Sequence, residues 1–256
     1  MSWSARDYQA FENERTRPVH DLLNAIPKTA VRHAIDLGCG PGNSTEVISQ
    51  RFPTAKIFGL DSSTDMIEAA RLRLPGHRFE IGTLDDWTSD EAYDLMLANA
   101  SLHWVPDHRK LLPSLVRRLA PSGSLAVQMP DNLEEPAHRI MREVARSGPW
   151  AGRLADAAAQ RAVIETPTWY YELLQPLCRR VDVWRTVYHH PLGGGAEAIV
   201  SWFQGSGLRP FLAALDDGDR GSFLDRYCSA IAPLYPELAD GVVLLPFPRL
   251  FIVATR

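Results

Sequence analysis

The stretch Ala34-Ile35-Asp36-Leu37-Gly38-Cys39-Gly40-Pro41-Gly42-Asn43 decides the fold. Its apolar run into Asp36 reads as a buried strand and the glycines as a tight turn. Asn43 reads as the N-cap of a helix whose inward positions include Val47, Ile48 and Phe52. A strand, turn and helix of this kind suit a ligand. Glycine at 38 and 40 removes side chains where the backbone bends sharply, so a small molecule can lie against main-chain N–H groups. The N-terminus of the following helix adds further polar donors.

A nicotinamide dinucleotide site uses a related loop, G-x-G-x-x-G, whose third glycine admits a pyrophosphate close to the helix. Here the spacing is Gly38-x-Gly40-x-Gly42, with Asp36 two residues ahead. A carboxylate there suits a ligand with a positively charged amino-acid end better than one with a pyrophosphate. The plainer reading of the same glycines is a turn needed only for packing. The run resembles motif I of the S-adenosylmethionine-dependent methyltransferases of the Rossmann-like class. That resemblance implies an α/β fold: a seven-stranded doubly wound sheet with its last strand antiparallel. It also implies S-adenosyl-L-methionine as cofactor, released as S-adenosyl-L-homocysteine and held by Asp36, Gly38 and Gly40.

Downstream, Lys56-Ile57-Phe58-Gly59-Leu60-Asp61 is a short apolar run ending in an acid. Ser62-Ser63-Thr64-Asp65 then opens a helix with Met66, Ile67, Ala70 and Leu74 inward. Asp61 stands 25 positions after Asp36 and 21 after Gly40, near the ~20-residue offset at which a ribose-binding acid ends the second strand. A carboxylate there can accept from both ribose hydroxyls, and Ser62 and Met66 join it as cofactor candidates. The next strand, Arg78-Phe79-Glu80-Ile81, leads into Gly82-Thr83-Leu84-Asp85-Asp86-Trp87. In the resembled family this loop touches adenine, commonly through an acid directly after the glycine. Thr83 holds that place here, so the contact falls to the Leu84 backbone and Asp85.

Tyr93-Asp94-Leu95-Met96-Leu97-Ala98 is nearly continuous apolar strand, as expected at the centre of a parallel sheet. It is followed by Asn99-Ala100-Ser101-Leu102-His103-Trp104, which matches motif IV of the family. The match implies Asn99 at the methionine end of the cofactor and His103 and Trp104 facing substrate, although a lone histidine can equally be structural. Leu111, Leu112, Leu115, Val116 and Leu119 form an amphipathic helix, ended by Ala120-Pro121-Ser122-Gly123 before the strand from Ser124 to Met129. Val181 to Tyr188 alternates as a sixth strand, and Arg249 to Ala254 closes the sheet.

Ahead of the glycine turn, Ser4-Ala5-Arg6-Asp7 reads as a helix start carrying Tyr8 and Phe11. Pro18 falls in the first turn of a second helix with Leu22, Leu23 and Ile26, ended by Pro27. Residues 1–17 are then a flap. In the resembled family a leading helix folds over the cofactor, which implies Tyr8 and Arg17 at its mouth; packing and solvation are the alternatives. Segments at about 130–165 and 189–247 leave the C-terminal ends of the fifth and sixth strands, the edge at which open α/β sheets bind ligands. Together they read as a helical lid inserted into a single methyltransferase domain. Gly193-Gly194-Gly195 and Asp216-Asp217-Gly218-Asp219 read as mobile connections within it.

With 256 residues, 45% of them apolar, the chain can bury a sizeable core, and a net charge of -4 gives no basic footprint for nucleic acid. Cys39, Cys178 and Cys228 are widely spaced and lack any paired Cys/His pattern, which argues against disulfides and zinc. Arg6, Asp7, Glu12 and Glu14 stand where a signal peptide needs an apolar core. No stretch approaches the ~20 apolar residues of a membrane span. The expectation is a cytoplasmic protein with a small-molecule substrate, without nucleic acid, membrane or metal.

Asn99-Ala100-Ser101-Leu102, Gln128-Met129-Pro130-Asp131-Asn132, Trp184-Arg185-Thr186 and Pro248-Arg249-Leu250-Phe251-Ile252-Val253-Ala254 narrow the resemblance. They are similar to members of the family that esterify one carboxylate of a small polycarboxylate. Alternation puts Arg185 on one face with Val181, Val183 and Val187, where a guanidinium is costly unless it meets an anion. A substrate carboxylate or an internal acid would serve. Arg249, at the start of the reversed last strand, and Arg209, beside Pro210 and Phe211 in the lid, complete the candidate carboxylate-binding set. No residue needs to act as nucleophile or base. A carboxylic acid of pKa ~4 is already ionised at neutral pH, and its oxygen can attack a sulfonium methyl directly. Catalysis then consists of alignment and exclusion of water. Two alternatives stand beside this one: a methyltransferase for another small acid, phenol or amine, and a cofactor-binding protein without catalysis.

Overall fold

The computed structural model describes residues 12–27, 30–84, 87–89, 91–159 and 163–256. The expected helix start at Ser4, Tyr8 and Asp85 lie outside the described residues. The chain divides into two units. The first takes Met1–Pro130, Ile164–Thr186 and Leu250–Arg256; the second takes Asp131–Val163 and Val187–Arg249.

In the first unit strands and helices alternate, the pattern of a parallel sheet. After α1 (Glu12–Asn24), β1 (His33–Leu37) leads through the glycine turn into α2 (Asn43–Arg51), and β2 (Lys56–Asp61) leads into α3 (Thr64–Arg73). β3 (Arg78–Ile81) and β4 (Tyr93–Asn99) follow. A 3-10 turn at Leu102–Trp104, α4 (His108–Arg117), β5 (Leu119–Pro130) and, after the chain returns to this unit, α7 (Pro167–Leu174) complete its main elements. β1 pairs in parallel with β2 and β4, β2 with β3, and β4 with β5. The central strands are buried on both faces, which is why they read as unbroken apolar runs: Ala34, Ile35, Leu37, Leu95, Met96, Leu97 and Ala98 are all buried. Helical side chains such as Leu112, Leu115 and Val116 of α4 and Tyr170 and Leu174 of α7 join Met96, Leu125 and Ile252 in one core cluster.

The full order of the sheet is β3-β2-β1-β4-β5-β7-β6, with β6 (Arg180–Gly193) and β7 (Val242–Thr255) contributing residues to both units. β7 runs against β5: the Ser124 hydroxyl meets that of Thr255 at 3.0 Å, whereas the N–H of Asp131 donates to the carbonyl of Pro248 at 2.9 Å. One chain position rises as its partner falls. The sheet therefore has seven strands with the last antiparallel, as the resemblance implied.

Several local expectations are corrected. α1 is continuous through Pro18, so no helix begins there. The proline forfeits one backbone bond, but Val19, Leu22, Leu23 and Ile26 are all buried, and that packing outweighs the loss. The N-cap of α2 is Gly42, not Asn43, which is the first helical residue. Leu119 opens β5 rather than closing α4. The Ala120–Gly123 turn is a bulge within β5: Tyr93 pairs with Leu119 but Leu95 with Ser124, and Ser122 takes φ 63°. β7 starts at Val242 rather than at Arg249, and β6 runs on to Gly193. Pro191, Pro246 and Pro248 interrupt the apolar alternation in the sequence, yet the strands pass through them.

The second unit is built on α5 (Pro136–Ser147), α6 (Ala151–Ala159), α8 (Gly195–Gln204), α9 (Arg209–Ala213) and α10 (Asp217–Ile231). α5 turns Ala137, His138, Met141, Val144 and Ala145 inward, the helical spacing of an amphipathic face. Tyr227 of α10 donates to the carbonyl of Ala137 at 3.1 Å, and the N–H of Ala137 donates to Tyr235 at 3.0 Å. The Trp150 ring donates to Val144 at 2.9 Å and stands edge-on to Phe223, centroids 5.4 Å apart. Asp216-Asp217-Gly218-Asp219 is not a loose connection. Asp216 caps α10 by accepting from the N–H of Asp219 at 2.9 Å, and Arg153 pairs with both Asp216 and Asp219. Among the described residues no helix is long and apolar enough to cross a membrane.

Candidate active site

The two glycines of the turn do different work. Gly38 takes φ 78°, and a Cβ there would fall 2.3 Å from the Cβ of Ser101, so its role is close packing of the turn on the chain after β4. Gly40 takes φ 54° and has nothing within 4 Å of where its Cβ would stand. That open side is where a ligand can approach the backbone. The N–H groups of Gly38 and Cys39 donate to the carbonyl of Leu60 at 2.7 and 3.0 Å, fastening the turn to β2.

Asp36 is wholly buried at the end of β1. One carboxylate oxygen, Oδ2, accepts from the hydroxyls of Ser44 and Thr45, both at 2.7 Å, and so ties the strand to the first turn of α2. The other, Oδ1, is buried without a partner. Burial pushes the carboxyl up to about 6, against the two hydroxyls that lower it, and the charge of Asp61 adds a smaller upward push. Asp61, half-buried at the end of β2, accepts from the N–H of Gly40 through Oδ2 and from that of Ser63 through Oδ1, each at 2.9 Å. Burial raises it too, opposed by the N–H groups of Ser63, Gly40 and Ser62. A carboxylate has about four lone-pair sites, so Asp61 keeps capacity for two further donors.

Two residues beside the turn share the condition of Asp36. Asn99, at the end of β4, has a buried Oδ1 without a partner, and Asn43 is 8% exposed with both amide atoms buried and unpaired. Buried polar groups are rarely left so. An ammonium group would satisfy Asp36 and Asn99, a carboxylate or carbonyl the amide of Asn43, and a pair of hydroxyls Asp61. These residues therefore fit S-adenosylmethionine. Asn43 is a ligand candidate that the sequence suggested only as a cap; its place directly after Gly42 was the available signal.

The remaining candidates are distributed as follows. Ser62 is exposed beside Asp61, and Leu84 packs half-buried on the core. Met66 is 2% exposed on the inner face of α3, where it serves packing. Arg17 is exposed on α1. His103 is buried and lies against Trp104, ring centroids 4.8 Å apart, while Trp104 is 39% exposed. Both follow closely on Asn99 through Ala100, a non-glycine at φ 53°, and Ser101, whose hydroxyl donates to the carbonyl of Leu37 at 2.6 Å. The glycine turn, Asp61, Asn99 and the Leu102–Trp104 turn are thus gathered in the first unit.

The arginines are divided between the units, Arg185 in the first and Arg209 and Arg249 in the second. Arg185 is exposed, and Val187 beside it is half-exposed. The premise of a buried apolar face is corrected along its length: Val181 and Val183 pack half-buried on the core cluster, but the face is open by Arg185 and Val187. The Arg185 guanidinium meets no desolvation cost that would demand an anion. Arg209 is half-buried at the start of α9 in the second unit. Arg249, also in the second unit, is 3% exposed inside β7, its guanidinium 4.7 Å from the ring centre of Phe247 and 5.9 Å from that of Tyr188.

Known proteins resemble the chain at two levels. A family model described as a methyltransferase domain matches residues 34–123, which is the cofactor half of the first unit. The solved structure of the YcgJ protein from Bacillus subtilis has TM-score 0.59 at 13% identity, covering 94% of this chain and 98% of that one. Phosphoethanolamine N-methyltransferase 2 of Haemonchus contortus, solved with S-adenosyl-L-methionine, has TM-score 0.55 at 14% identity, covering 93% of this chain and 52% of that one. At such identities these two share the fold. Trans-aconitate 2-methyltransferase of Methylobacterium radiotolerans is 53% identical over 99% of this chain and 98% of its own length, and that of Paracidovorax citrulli is 51% identical over the same shares. With half its residues identical to theirs from end to end, the chain belongs to the trans-aconitate 2-methyltransferase family.

Proposed function

We propose that this enzyme transfers the methyl group of S-adenosylmethionine to one carboxylate of trans-aconitate, giving the monomethyl ester. The observation that carries the proposal is the extent of the similarity. The general methyltransferase match stops at residue 123, whereas relatives named for trans-aconitate match 99% of this chain, the second unit included, at 51–53% identity overall. When bound, S-adenosylmethionine supplies an electrophilic methyl group on a sulfonium. Asp36 and Asn99 present buried oxygens to its ammonium group, Asp61 accepts from its ribose, and Gly40 leaves the backbone open to it. The Leu84 backbone takes the adenine edge.

Arg249 and Arg209, both in the second unit, are in this reading the donors to the substrate's non-reacting carboxylates. Arg249 suits that task because two aromatic rings hold its planar fork and burial strengthens its field. His103 and Trp104 line the substrate and keep water from the attacking oxygen. No side chain removes a proton, since the attacking carboxylate is ionised already. Orientation alone can supply roughly 7–11 kcal/mol of the barrier.

Incubation with methyl-labelled cofactor and a panel of small acids, phenols and amines tests this. The label should appear as an ester on trans-aconitate. Transfer at a comparable rate to a phenol or amine would overturn the assignment, and no transfer to any of them would favour a binding protein.

A further inference from the structure

One buried chain of hydrogen bonds in the first unit is not used by the reaction as described above. It joins α7 to α4 and ends on the turn that carries His103 and Trp104. His108, first residue of α4, and Tyr170 of α7 are both buried. His108 Nε2 lies 2.8 Å from the carbonyl oxygen of Leu102, which can only accept, so Nε2 carries the proton. In the neutral ring Nδ1 is then the acceptor. Tyr170 Oη, 2.7 Å away, donates to it. The same phenol oxygen accepts from the N–H of Glu165 at 3.3 Å. With a neutral His108 ring the bonds run from Glu165 to Tyr170, from Tyr170 to His108 and from His108 to Leu102.

The last acceptor is the telling one. The Leu102 carbonyl also accepts from the N–H of Val105 at 2.9 Å, so both its lone pairs are engaged and the turn is pinned from inside and outside. The far end is equally firm. Thr166 caps α7 by accepting from the N–H of Trp169 at 3.2 Å, the Trp169 ring stands edge-on to Tyr170 with centroids 5.1 Å apart, and the Arg109 guanidinium lies 5.1 Å over Trp169. Packing alone would need only a residue of similar size at 108.

We infer that His108 and Tyr170 are positioning residues for methyl transfer: acting through the Leu102 carbonyl, they set the Leu102–Trp104 turn and so the place of Trp104 and His103 against the substrate. The inference rests on the reading that this turn faces the substrate. It asks for little movement, because a displacement near 1 Å can cost on the order of a hundredfold in rate.

Four variants test it: Tyr170→Phe, His108→Leu, His108→Gln and Trp104→Ala. Each is measured for kcat and KM with trans-aconitate and for cofactor affinity by titration. Tyr170→Phe removes one hydroxyl and keeps the ring, so it reports even if His108→Leu fails to fold. The expected result is a loss of roughly tenfold or more in kcat/KM for Tyr170→Phe and Trp104→Ala, with cofactor Kd unchanged. His108→Gln, which keeps a donor within reach of the Leu102 carbonyl, should recover most of the activity that His108→Leu lacks. If Trp104→Ala impairs turnover while Tyr170→Phe matches wild type, the positioning role is overturned and the substrate-facing turn stands. If Trp104→Ala is silent, the turn does not face substrate and the inference falls with that reading. A parallel fall in cofactor affinity and kcat for Tyr170→Phe would mark a structural role and overturn it as well.

Discussion

Asp61 and Asp36 show how one residue type divides its labour by burial. Asp61 is partly open and bonded to the turn, so Asp61→Ala should raise the cofactor Kd roughly tenfold to a thousandfold. That follows from charged hydrogen bonds contributing ~1.5–3 kcal/mol each, and calorimetric titration alongside thermal unfolding would measure it. Wild-type affinity in a folded variant would refute the assignment. Asp36 leads to a pH experiment. Its folded-state carboxyl is raised to about 6 from 3.8, so the folded chain holds the proton more tightly than the unfolded one. Stability without cofactor should therefore fall as pH rises from about 4 to 6 and level off above, a change of about 3 kcal/mol for a displacement of this size. Denaturant unfolding of wild type and Asp36→Asn at pH 4 and 7 should show the wild type losing ground by that amount. Both acids were legible in the sequence because their spacing from the glycines is local. The exposure of Arg185 was not, since alternation says which residues share a face but not whether anything covers it.

Among the elements, the parallel strands could be placed from sequence because burial on both faces makes them unbroken apolar runs. β6 and β7 could not be delimited, because Pro191, Pro246 and Pro248 look like ends of strands when their pairing is unknown. α7 was missed for a related reason: what holds Tyr170 in place is His108, 62 positions away. Packing between strands gives a prediction of its own. A Cβ on Gly59 of β2 would meet the Phe79 ring at 2.4 Å and the Cys39 sulfur at 3.0 Å, whereas one on Gly76 meets nothing within 4 Å. Gly59→Ala should lower the unfolding free energy by about 1–3 kcal/mol through overpacking, and Gly76→Ala should leave it within about 0.5 kcal/mol. Urea unfolding of the pair is the check; equal midpoints would mean that Phe79 moves aside without cost.

For the molecule as a whole, the proposed chemistry needs no proton transfer, and this has a kinetic signature. Single-turnover rates at saturating substrates should be nearly flat from about pH 6.5 to 8.5, because a carboxylate of pKa ~4 stays ionised throughout. A steep rise with a midpoint near 7 would implicate His103 or another base and favour a phenol or amine substrate. Substrate charge provides the companion test. Arg249→Met keeps an apolar stem between Phe247 and Tyr188 but removes the fork, so kcat/KM for trans-aconitate should fall tenfold or more relative to a monocarboxylate of similar size, at roughly 1.5–3 kcal/mol per charged hydrogen bond. Cofactor affinity should be unchanged. The proposed cofactor half of the site follows from short motifs whose residues the first unit holds at the ends of β1, β2 and β4. The proposed substrate half has no such motif, because Arg209 and Arg249 sit in a unit whose sequence has no comparable spacing rule, and similarity over the full length is what speaks for it.

The contact of Gly38 with Ser101 constrains how this sequence can change. The space a side chain at 38 would need is already filled by Ser101, whose hydroxyl also holds the carbonyl of Leu37, so the two positions cannot drift independently. Gly38→Ala alone collides with its neighbour. Joined to Ser101→Gly, it keeps the backbone strain of φ 78°, about 1–2 kcal/mol, and loses one hydrogen bond, but the collision is gone. A laboratory lineage started from Gly38→Ala and selected for methyl transfer should accordingly collect its first suppressors at residue 101.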